Sequence, residues 1–117
     1  MDSNVMTWIQ AEDLGYERGV YIWRPGTVPT GNLDVILDFK MWAKNAFAIN
    51  CYFQCIEDGL KFSLQVYRRR RGILYSPPGC ELDFKTCPVQ SVYRIEVAND
   101  GKNLPRIIRA ELVKILN

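Results

Sequence analysis

Between Cys51 and Tyr67 two runs of alternating polarity flank the dipeptide Asp58-Gly59, and this arrangement constrains the fold more than anything else in the chain. Asp-Gly is favoured in two-residue type I′ hairpin turns, which need positive φ at both central residues. The dipeptide predicts Glu57 opposite Leu60, then Cys55 opposite Phe62, Phe53 opposite Leu64 and Cys51 opposite Val66. One face of this hairpin is apolar, and the other carries Tyr52, Gln54, Lys61, Ser63, Gln65 and Tyr67. Side chains alternate with period two along a strand, so the apolar face is the one expected to meet a core.

Similar alternation recurs on both sides. Leu33, Val35, Leu37, Phe39 and Met41 read as the inward side of a strand with Asp34, Asp38 and Lys40 outward, followed by a turn at Lys44-Asn45. Residues 19–23 form a β-rich run ended by Pro25-Gly26, and 73–75 a short strand before Pro77-Pro78-Gly79. Residues 89–97 place Tyr93, Ile95 and Val97 inward, and Asn99-Asp100-Gly101 ends them.

Two segments read as helix. Residues 3–15 have Ser3 as N-cap, Val5, Trp8 and Ile9 on one face, and Gly15 as a stop. Over residues 104–116, Leu104, Ile107, Ile108, Leu112, Ile115 and Leu116 fall on one helical stripe, with Asn103 as N-cap and Pro105 in the first turn. The expected architecture is therefore α+β: a curved antiparallel sheet of five or six strands, a short N-terminal helix and a C-terminal helix packed on the sheet. The alternative is all-β, with the last segment a final strand after a hairpin at Asp100-Gly101.

A chain of 117 residues with 48% hydrophobic and 24% charged composition is expected to form one folded domain. No apolar run approaches the roughly 20 residues that span a bilayer, and the first residues lack a secretory signal pattern, so the expectation is a cytoplasmic protein without membrane contact. Cys51 and Cys55, four apart on one strand, would lie about 13 Å from each other, too far for a disulfide or a shared zinc. They are expected to be buried thiols, whereas Cys80 and Cys87 flank a loop and could pair in an oxidising compartment.

Histidine is absent, which removes Ser-His-Asp and Cys-His catalysis, imidazole metal sites and the usual general base near neutral pH. Asp34 and Asp38, also about 13 Å apart on a strand, exceed the separation of about 9.5 Å that glycosidase carboxylates reach. No glycine spacing matches a phosphate-cradling loop. The expectation is a protein that is not an enzyme and carries no metal or cofactor.

Charge supplies the remaining signal. Residues 1–58 hold 4 basic and 8 acidic residues and residues 59–117 hold 11 and 5, so a net charge of +2 conceals balances of −4 and +6. In a strand, Arg69 and Arg71 would share a face with Tyr67 and Lys61, while Arg68 and Arg70 point the other way. Lys61, Tyr67, Arg69 and Arg71, widened by Arg94, Arg106 and Arg109, would offer phosphate contacts and a stacking ring to a nucleic acid. The bland reading is a solvated strand end whose charges discourage edge pairing. The leading expectation for function is a small interaction or adaptor module binding a protein partner or itself; the alternatives are a basic nucleic-acid-binding protein and a small-ligand binder with an aromatic-lined cavity.

Overall fold

The computed structural model describes residues 20–44, 47–68, 75–77, 80 and 82–116. The helix expected over 3–15, Arg69, Arg71 and Ile73-Leu74 lie outside the described residues. Among the described residues five strands run in chain order: β1 (Gly31–Trp42), β2 (Ala48–Cys55), β3 (Lys61–Tyr67), β4 (Ser91–Asn99) and β5 (Pro105–Ile115). They form one antiparallel sheet in the order β3-β2-β1-β4-β5. The two ends of that order, β3 and β5, also meet, so the sheet is curled towards a barrel. The remaining seam is lined by residues 20–25. There Ile22 pairs with the β3 edge, its N–H donating to Lys61 O (3.1 Å) and its carbonyl accepting from Ser63 N–H (2.8 Å).

The C-terminal helix expectation is overturned: residues 105–115 are strand β5, hydrogen-bonded along β4, and the all-β alternative describes the architecture. The reason lies in two β-bulges, where Ile108 and Val113 are extra residues opposite β4. Ile107, Ala110, Leu112 and Ile115 stand opposite the core-face residues Val97, Ile95, Tyr93 and Ser91. Each bulge inserts one residue into a period-two pattern, so the strand's alternation is broken and Ile107, Leu112 and Ile115 fall at spacings that also suit a helix. The Asp100 carboxylate secures the turn by accepting the N–H groups of Lys102 and Leu104, with Asn103 at φ 61°. Asn tolerates that left-handed geometry.

The central hairpin forms with a register two residues from the expected one: Phe53 faces Phe62, Cys51 faces Leu64 and Ile49 faces Val66. Its loop holds four residues, 56–59. Cys55 N–H donates to Leu60 O, Gly59 N–H to Cys55 O, and Asp58 Oδ1 accepts from Leu60 N–H. Only Gly59 has positive φ (74°), whereas a type I′ turn would also force Asp58 into that region. A slip of two residues preserves every side chain's face, so the apolar and polar faces stand as expected.

On β1 the alternation inverts. Asp38 is an extra residue between the pairs Leu37–Phe53 and Phe39–Tyr52. Phe39 therefore shares the outer face with Tyr52, stacking on it at 4.3 Å, while Lys40 pairs with Cys51 on the core face. Lys40 was expected to face outward, but it is 0% exposed. Its ammonium donates to the carbonyls of Cys87 (2.6 Å), Phe84 (2.9 Å) and Lys85 (3.4 Å), so three N–H groups meet three acceptors.

Those carbonyls belong to the β3–β4 crossover, which lays Tyr75, Phe84 and Cys87 onto the core formed by Val35, Leu37, Phe53, Phe62, Tyr93 and Ile95. Gln90, at φ 52°, completes the junction: its N–H and side-chain amide donate to the carbonyls of Leu37 and Asp38. All four cysteines are buried free thiols, and Cys80 donates to Ala110 O while Cys87 donates to Phe84 O. Burial raises the Cys51 and Cys87 thiols above the ordinary range, which keeps them protonated.

Lys40→Met preserves side-chain volume and strands the crossover carbonyls. It is expected to cost about 1–3 kcal/mol, the penalty for an unsatisfied buried polar group, read as a lower urea midpoint at unchanged m-value.

Candidate nucleic-acid interface

The polar face of the hairpin forms the floor of a groove at the β3–β5 seam. Asn50 and Tyr52 from β2, with Ser63, Gln65 and Tyr67 from β3, line it; Trp23 and Pro25 form one wall, and Leu104, Pro105 and Arg106 the other. Its volume is about 390 Å³, and among the described residues no carboxylate lines it. A second hollow of about 470 Å³ shares Gln65 and Tyr67 and adds Lys44.

Four aromatic rings have cations beside them, and Tyr67 with Arg106 and Trp23 belong to the groove lining. Arg106 lies over Tyr67 (4.7 Å to the ring centroid), Arg68 over Phe47 (5.2 Å), Lys61 over Tyr21 (5.5 Å) and Arg24 beside Trp23 (5.9 Å). Trp23 is 64% exposed, Phe47 54% and Tyr67 45%. Large apolar rings held in water next to positive charge are costly as packing and useful as contact surface.

Two carboxylates position this surface. Asp100 accepts from Arg106 Nε at 3.2 Å, and the N–H groups of Leu104 and Lys102 hold its carboxyl below the ordinary range. Arg106 is thereby fixed over Tyr67 while the turn stays closed. Asp38, projected to the outer face by the β1 bulge, is buried and accepts the Tyr21 hydroxyl at 2.7 Å. Burial pushes its carboxyl up, and the Tyr21 hydrogen bond and the Lys61 charge pull against that shift. Tyr21 packs edge-on against Phe39 and Tyr52, which ties the strand-edge segment carrying Trp23 to the sheet.

Compared with protein-family models, curated proteins and solved structures, the chain matches none. The site therefore rests on its own geometry.

Of the residues expected from sequence, Lys61 and Tyr67 lie on this face, and Arg106 joins them. Arg94 stands elsewhere, on β4, bridged to Asp34 (3.0 Å) and Glu111 (3.8 Å), and Arg109 pairs with Glu96 (3.5 Å). There two arginines meet three carboxylates across β1, β4 and β5. Trp23 was expected only as one of the aromatics that could line a small-ligand cavity, and Arg24, Phe47 and Lys44 were not anticipated. Their positions follow from seam closure and the β1–β2 connection, and the available signal was the Trp23-Arg24 adjacency.

Asp38→Asn retains an acceptor for Tyr21 and removes the buried charge. Because the folded Asp38 carboxyl titrates above its unfolded value of 3.8, its charge lowers stability above that pH and has no effect below it. The variant's gain over the parent protein is expected to be absent in acid, to grow as pH rises through the raised folded value, and then to level off, as read by urea denaturation across pH.

Proposed function

We propose that the protein binds single-stranded nucleic acid along the outer face of β2 and β3. The observation that carries this reading is the juxtaposition of exposed Trp23 and Tyr67 with Arg24 and Arg106 at a groove that no carboxylate lines among the described residues. Non-specific binding of single strands needs bases stacked on aromatic rings and phosphates neutralised by nearby cations. Lys44, Arg68 and Lys61 would extend the cationic track past the groove.

A second reading, a protein-interaction module, draws support from the apolar side chains Leu112, Val113, Ile115 and Leu116, which are exposed at the end of β5. It ranks second. The bulges at Ile108 and Val113 and the charges of Arg109, Glu111 and Lys114 along that strand are devices that discourage strand addition.

Fluorescent single-stranded oligonucleotides should bind with strong salt dependence. With four phosphates neutralised, affinity is expected to fall about 50-fold between about 50 and about 200 mM salt. Trp23→Ala and Tyr67→Ala are each expected to weaken binding about tenfold, from the loss of one stacked base. Arg94→Ala should change it less than twofold. An absence of binding at the lower salt would refute this function and leave the interaction module.

A further inference from the structure

Tyr67 stands between two hollows. On one side of it lies β5, whose Arg106 sits over the ring at 4.7 Å from the centroid and belongs to the lining of the groove. On the other lies β2, where Ala48 is directly opposite Tyr67. That side opens into the second hollow of about 470 Å³, lined by Ala43, Lys44 and Ala48 together with Gln65 and Tyr67. Both hollows fall within the range of about 300–1,000 Å³ that ligand clefts occupy.

The second hollow exists because small side chains neighbour a large ring. Directly opposed residues of an antiparallel pair share a face, so alanine at 48 leaves that flank of Tyr67 open. Ala43 N–H donates to Ala48 O at 2.9 Å, which closes the β1–β2 connection and sets a second alanine in the same floor. The tyrosine is held in place by its hydroxyl, which donates to Gln65 Oε1 at 2.8 Å. Lys44 brings a cation, and among the described residues no carboxylate lines this hollow either. A fixed ring with a hollow and a cation on each side suits successive nucleotides, one base stacking on each side and the phosphates lying near the cations. Resting on the single-strand reading above, we infer that the hollow between Tyr67 and the β1–β2 connection is a second base subsite, so that Tyr67 separates neighbouring bases of a bound strand and Lys44 takes the phosphate beyond it.

The full chain is titrated with a labelled oligothymidylate between about 50 and about 200 mM salt. Ala43→Leu fills the hollow, and Lys44→Ala removes its cation from an exposed position; both are checked for a parent-like urea midpoint. Ala43→Leu is expected to weaken binding about tenfold, the scale of one stacked base. Combined with Trp23→Ala it should weaken binding about a hundredfold, because bases held in separate hollows contribute independently. Lys44→Ala should make the slope of log affinity against log salt shallower by about 0.7, the share of one phosphate on a single strand, a change that a purely structural role would not produce. Parent-like affinity of Ala43→Leu, or an unchanged salt slope for Lys44→Ala, would overturn the second subsite while the loss on Trp23→Ala keeps single-strand binding standing. If the parent protein binds no strand, the proposed function falls and the inference falls with it.

Discussion

The extra residue at Asp38 is the constraint on which the rest of this structure depends. One inserted residue on β1 turns the second half of the strand over, sending Asp38 and Phe39 outward and Lys40 inward. Inward, the Lys40 ammonium gathers three carbonyls of the β3–β4 crossover and holds that crossover over the core. Outward, Asp38 and Phe39 receive Tyr21 and with it the segment that lines the seam. Burying a lysine costs desolvation, and it persists here because each of its donors finds an acceptor.

The same device divides the molecule's surface electrostatically. Across β1, β4 and β5 the outer arginines are paired with carboxylates: Arg94 with Asp34 and Glu111, and Arg109 with Glu96. Exposed pairs of this kind contribute little to stability, but they cancel the local field. Around β2 and β3 the cations lie over aromatic rings, although Arg106 also pairs with Asp100 and Lys61 also acts on the buried Asp38 carboxyl. Ring quadrupoles attract a cation without removing its net charge, so this face keeps its positive potential.

Turn chemistry explains how far the sequence could be read. Asp58-Gly59 correctly marks a hairpin and its two faces, yet the loop takes four residues because a single left-handed glycine is less costly than a left-handed glycine and aspartate together. That Lys61 and Tyr67 share a face was legible because both belong to that hairpin's polar face. Arg94 was misplaced because alternation assigns a residue to a face of its own strand and says nothing about which charged neighbours stand beside it.

By itself, the sequence determined that the chain would build an antiparallel sheet from hairpins, which strand faces of the Asp58-Gly59 hairpin would be buried, and that no histidine chemistry would operate. These follow from local rules: side-chain period, turn propensity and composition. Only the tertiary structure decided the identity of residues 105–115 as a strand, the inward course of Lys40 and the meeting of Trp23, Tyr67 and Arg106 at one groove. The physical reason is common to all three. A β-bulge displaces periodicity by one residue, and curling brings strands from opposite ends of the sheet order together, and both are settled by long-range hydrogen bonding and packing that no local pattern encodes.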